Sequence, residues 1–221
     1  MRITTRPAMR IFTPFILLSF TVSTYAEHNH HSHNDQQKHD LQKLQGDINI
    51  QMGRNVGDVR SVNGDIRLAE DSQVETAKTT NGKISISNNV KARELSTVNG
   101  GIRAGEGLMV ERDVRTVNGS IRIKAGSEVD GSVTTVNGSI ELTKTVVGGN
   151  LETLNGDIEL RHSVIEGDVI FGELGAYSHR PSNPSLIIDA DSEVRGKIIL
   201  RQRVELKIED GTKIGEIVDE T

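Results

Sequence analysis

One six-residue phrase recurs along most of this chain. TVNGSI occupies residues 116–121 and returns unchanged at 135–140, with variants SVNGDI from Ser61, TTNGKI from Thr79, TVNGGI from Thr97 and TLNGDI from Thr153. The pairs Asn63-Gly64, Asn81-Gly82, Asn99-Gly100, Asn118-Gly119, Asn137-Gly138 and Asn155-Gly156 are therefore always 18 or 19 residues apart. A fixed period near twenty restricts the chain to stacked-repeat architectures, in which each repeat buries its apolar side against its neighbours.

Aligning the repeats on Asn turns the sequence into columns. Val59, Ala77, Leu95, Val114, Val133 and Leu151 precede the turn. Ile66, Ile84, Ile102, Ile121, Ile140 and Ile158 follow it, and Leu68, Ile86, Ala104, Ile123, Leu142 and Leu160 come two residues later. Polar residues alternate with them, the mark of strands with one buried face. Val56, Val74, Val110, Val129 and Val147 form another apolar column and imply a further side to each repeat.

Two all-β folds use such a pattern. Asn-Gly between short strands is a strong hairpin signal, so an antiparallel meander is one candidate. The other is a single-stranded parallel β-solenoid, in which equivalent residues stack about 4.8 Å apart. The unvarying Asn column, and the Ser61, Thr79, Thr97, Thr116, Thr135, Thr153 column, favour the solenoid, because identical polar residues gain from stacking in register. The core would be thin and free of aromatics. About nine coils are expected, with Asn bonding the backbone at each corner and Gly supplying a positive φ there. Handedness is expected to be right, as in parallel crossovers generally, although 18 residues also divide into three six-residue sides of a left-handed coil.

Outside the repeats the chain changes character. Residues 1–26 read as a signal peptide, with Arg2, Arg6 and Arg10 ahead of an apolar run and Thr24-Tyr25-Ala26 as a cleavage site. Its removal takes the formal charge from −5 to −8, since three arginines and no acid are lost. The expected location is the periplasm, or the surface or surroundings of a bacterium. Residues 27–40 form a His-rich tail of disordered composition, and residues 36–45 could make a short helical cap over the first coil. Residues 41–221 would form the solenoid, interrupted by a loop at 172–184 that holds Pro181 and Pro184.

The repeated T-V-N-G-x-I-x-[IL], with V-x-G-x-V between copies, resembles an adhesin-like family of bacterial β-strand repeats, a domain of undetermined function. It is also similar to the right-handed β-solenoids of the bactofilin type. The resemblance covers residues 46–218 and implies architecture; these families bring no catalytic residues to transfer.

Candidate sites are few. His28, His30, His31, His33 and His39 could gather Zn, Ni or Cu on the tail, since neutral imidazole suits all three. The inserted loop, around Phe171, Tyr177, His179 and Arg180, collects the residue types that anchor interfaces. Glu141, Glu152, Asp157 and Glu159 would come together if successive coils stack, forming a carboxylate cluster of the kind that binds Ca²⁺ or cleaves glycosidic bonds. Arg60, Arg67, Lys78, Arg103, Arg115 and Arg122 would make one end of the surface positive, suited to a polyanion such as an acidic polysaccharide. An acidic chain without base-stacking aromatics speaks against nucleic acid. No Cys or G-x-S-x-G nucleophile is present. The expected function is that of a non-enzymatic exported scaffold or adhesin-like module with no required cofactor. Its partner would be an envelope polysaccharide or protein, and the solenoid ends could self-associate. A metal-binding protein using the tail and a polysaccharide-active enzyme are the alternatives.

Overall fold

A computed structural model describes residues 38–173 and 183–221. Every strand pairing among them is parallel. Asn63 is paired with Asn81, Asn81 with Asn99, Asn99 with Asn118, Asn118 with Asn137 and Asn137 with Asn155. A meander would pair neighbouring strands antiparallel, so the fold is a parallel β-solenoid of about nine turns.

Each coil has three faces. The first runs up to the Asn corner and includes Val59–Asn63, Val114–Asn118 and Leu151–Asn155. The second follows the corner, from Ile48–Ile50 through Ile102–Ala104 and Ile121–Ile123 to Glu205–Ile208, and forms a nine-stranded sheet. The third is shorter, as in Met109–Val110 and Thr145–Val147. Gln73–Asn81 and Lys91–Asn99 run unbroken from the third face into the first, which merges those two faces into one 17-stranded sheet.

The apolar columns all point inward. Val59, Ile66, Leu95, Ile121, Ile140 and Leu151 are completely buried, as is Val147 on the third face. Each such side chain contributes roughly 1.5–3 kcal/mol on removal from water, and in-register stacking lets every coil collect that gain with Val, Ile and Leu alone.

The Asn-Gly corner works differently from the expectation. None of Gly64, Gly82, Gly100, Gly119, Gly138 and Gly156 is among the glycines with positive φ. Instead, a Cβ on any of them would overlap the carbonyl of the corner glycine one coil earlier. Glycine is required there by the close approach of stacked backbones. The left-handed corner lies elsewhere, between the second and third faces, at Gly53, Asp71, Asn89, Gly107, Gly126, Lys144 and His162. Only short polar residues and glycine enter that region readily, so Lys144 at φ 46° and His162 at φ 51° are held there by the coils on either side.

Two further expectations are corrected. Residues 41–45 are not a helical cap: Leu41–Gln45 is a first-face strand, with Leu41 paired to Val59 and Gln45 to Asn63. One or two isolated helical turns are unstable in water, whereas the open edge of Val59–Asn63 offers ready-made partners for every second backbone group. The first coil therefore begins at Leu41 and not at Gly46, where the match of GDINI at 46–50 to GDIRL at 64–68 would start it. Phe171 is no surface residue either. It ends the strand Val169–Phe171, is fully buried, and stands in register between Thr153 and Leu200. An aromatic fills the space where the Thr column stops.

Candidate functional site

The Asn corner forms a side-chain ladder. Asn81 donates its Nδ2–H to Asn63 Oδ1 at 2.8 Å, and Asn99, Asn118, Asn137 and Asn155 repeat the bond at 2.8–2.9 Å, each to the coil before. The Thr column does not ladder upon itself. Thr79, Thr97, Thr116 and Thr135 lie inside the coil and donate to the carbonyls of Gly64, Gly82, Gly100 and Gly119, at 2.8–2.9 Å. Thr thus satisfies the carbonyl of the residue whose missing Cβ lets the coils close. Other side chains tie the remaining turns: Asp168 N–H donates to Asn150 Oδ1, Lys197 N–H to Asp168 Oδ1, and Ser163 N–H to Ser192 Oγ. Most polar residues at the corners are consumed in holding coils together, which leaves the outward columns of the faces as the chemistry on display.

On the first face the basic residues Arg60, Lys78 and Arg115 each have an acid beside them, namely Asp58 at 2.7 Å, Glu94 at 2.9 Å and Asp113 at 2.6 Å. Arg67, Arg103 and Arg122 lie around the corner on the second face. The predicted basic surface is therefore split in two. Arg67 is held between Asp47 at 2.5 Å and Asp65 at 3.1 Å. Arg122 grips Glu141 through two bonds of 2.5 and 2.6 Å, which lowers the Glu141 carboxyl from its ordinary value. Arg103 has no ion-pair partner among the described residues.

The carboxylate group is likewise divided. Glu141 and Glu159 are neighbours in register on the second face, but Arg122 holds the first and Arg161 the second. Asp157 accepts the N–H and hydroxyl of Ser185. Glu152 faces outward on the first face between Thr134 and Ile170, and burial there raises its pKa despite Arg201 and Arg115 nearby. Three of these carboxylates have separate partners and Glu152 lies on a different face, so the four do not converge on one ion or one bond.

His162 lies between Asp189, 2.9 Å from Nδ1, and Asp191, 3.1 Å from Nε2. The carboxylates contact opposite ends of the ring and cannot meet it at a single metal. Among the described residues no group of three or more His, Asp or Glu is placed to hold a metal ion. Of the predicted tail ligands only His39 is described, and it is exposed; His28, His30, His31 and His33 lie outside the described residues, as do Tyr177, His179 and Arg180 of the loop. The insertion occupies the corner between Val169–Phe171 and Ser185–Ile188, where another Asn-Gly would be due.

A recess of about 660 Å³ lies on the second face, lined by Arg67, Ser85, Ser87, Arg103, Arg122 and Lys124 among others. Its depth comes from small residues standing between long ones, with Ala69, Ala104 and Gly105 also in the lining. Sequence reasoning singled out the three arginines but missed Lys124 and the serines. Their signal was a run of small residues in two columns that carry long or acidic side chains in other coils.

No family model, curated protein or solved structure matches this chain. No helix among the described residues is long and apolar enough to cross a membrane.

Proposed function

We propose that the protein is an exported, non-catalytic binding scaffold of the bacterial envelope, an adhesin-like module that engages an envelope polymer through the outward columns of its faces. The observation that carries this reading is the division of labour among polar residues. Asn, Thr, Ser and Asp at the corners are engaged in coil-to-coil bonds, while charged residues on the faces stand in register at strand spacing. Such an array suits an extended repeating ligand better than a reacting bond, which needs convergent groups. The leader-like residues 1–26 and the resemblance to adhesin-like β-strand repeats support the same reading.

The test uses the full chain expressed with its own leader in a bacterial host. It should leave the cytoplasm, and the exported protein should co-sediment with isolated cell envelopes without releasing reducing sugar ends. Retention in the cytoplasm, failure to sediment, or steady glycan cleavage would each overturn the proposal.

A further inference from the structure

In the middle of the second face lies a group of four cations of which the fold itself neutralises only one, Arg122. On three consecutive coils the outward positions are Lys83, Ser85 and Ser87; Gly101, Arg103 and Gly105; and Ser120, Arg122 and Lys124. They hold four positive charges and no negative one. Arg103 stands directly opposite Arg122 in register, a like-charge juxtaposition that costs stability on a sheet. Elsewhere the chain answers that problem with an acid, as Arg60 and Lys78 show, each beside its own carboxylate. Here it does not. Lys83, Arg103 and Lys124 have no ion pair among the described residues. The bordering acids, Asp65 and Glu141, are engaged by Arg67 and Arg122, and Glu106 lies beyond Gly105 in the turn.

We infer that this recess is a binding site for an acidic glycan, with Arg103 and Lys124 as the contacts for its carboxylate or phosphate groups. The inference rests on the reading of the protein as a scaffold that engages envelope polymer. Guanidinium pairs with either anion in a planar, two-pronged fashion, and a bound anion supplies the counter-charge that Arg103 lacks. Ser85 and Ser87 in the lining supply hydroxyls for sugar hydroxyls, and the recess is of a size that accepts a small ligand. Strands about 4.8 Å apart repeat the contact at roughly one sugar ring per coil, so a chain lying along the solenoid axis meets the three coils in turn. The face offers no aromatic ring for a nucleobase and is set in a protein of net charge −5, which favours a short acidic sugar chain over a nucleic acid.

The experiment titrates the exported full chain by calorimetry with three probes: oligogalacturonate, inorganic phosphate and neutral maltohexaose. Oligogalacturonate should bind and weaken steeply with salt, because the contacts are exposed charges; maltohexaose should not bind. The double variant Arg103→Glu/Lys124→Glu should lose at least tenfold in affinity with an unchanged melting curve. Lys91→Glu/Lys213→Glu changes the charge equally on the third face and should bind as the parent does. Equal loss in both variants, unaltered binding by the first, or full competition by millimolar phosphate would overturn the glycan site. If the first variant still co-sediments with envelopes, the scaffold reading stands and this site falls; if oligogalacturonate binds as expected while envelopes do not, the reverse holds.

Discussion

Replacing Gly119 by Ala tests why the corner glycine is there. The added methyl would overlap the Gly100 carbonyl and lie 2.7 Å from the Gly101 nitrogen. Neither belongs to a flexible side chain, so the two coils must part. Three bonds cross that junction at the corner: Gly100 N–H to Asn118 O at 3.0 Å, Asn118 Nδ2 to Asn99 Oδ1 at 2.9 Å, and Thr116 Oγ1 to Gly100 O at 2.8 Å. At about 0.5–1.5 kcal/mol each, losing two or three of them costs about 1–4.5 kcal/mol. For a chain of this size that lowers Tm by roughly 2–18 °C. The comparison is Gly53→Ala, at φ 67° with nothing within 4 Å of the new methyl, where the cost is only the left-handed backbone, about 1–2 kcal/mol. Denaturant melts by circular dichroism, with amide exchange at residues 99–119, would measure both. If Gly119→Ala proves milder than Gly53→Ala, the close-approach argument is wrong.

Glu152→Gln should modestly stabilise the protein at pH 7, because it removes a charge that burial disfavours. The sign follows from the raised pKa: wild-type stability improves as pH falls through that raised value toward the ordinary range of a free carboxylate, so the advantage of the variant should shrink over that interval and a constant gap would refute the cause. Thr135→Val should cost about 1–2 kcal/mol by orphaning the Gly119 carbonyl, while Thr135→Ser should restore most of it in the same urea melts. Zn²⁺ or Ni²⁺ should bind the full chain through its tail with little effect on Tm. Replacing His28, His30, His31, His33 and His39 by Ala should abolish binding, and acidification should weaken it, since imidazole must be neutral to ligate; a large metal-dependent rise in Tm would place the ion elsewhere.

The period and the alternation were legible because they are one-dimensional records of a repeat that every coil must satisfy. The apolar columns that begin at Val59, Ile66 and Leu68 turn inward as their spacing required. The reason for glycine at the corner was not legible, since a positive φ and a close approach leave the same letter; only the position of the preceding coil distinguishes them. The true left-handed corner left a faint trace, Gly53, Asp71, Asn89, Gly107 and Gly126, which Lys144 and His162 then obscure. SVIEGDVIF at 163–171 fits a coil by its pattern, and Phe171 groups with the loop only because it borders one; its register with Thr153 and Leu200 shows only once the strands are stacked. The same holds for charge: Arg103 and Arg122 read alike in sequence, and Glu141, one coil on, separates them in space.

The Asn ladder also bears on how the molecule ages chemically. An Asn-Gly bond loses ammonia when the glycine nitrogen attacks the asparagine side-chain carbonyl, and six such bonds in an unfolded chain would be six early lesions. Here the N–H groups of Gly64, Gly82, Gly100, Gly119 and Gly138 are each donated to an Asn carbonyl in the following coil, at 2.9–3.1 Å, and are held away from that attack. The sixth differs. Asn155 Oδ1 is buried without a hydrogen-bond partner, and Gly156 N–H has no backbone acceptor among the described residues. Damage on storage should begin at Asn155, beside the insertion, and reach Asn137 only after the rung above it has gone, so that the isoaspartate content of successive peptides would order the coils by time.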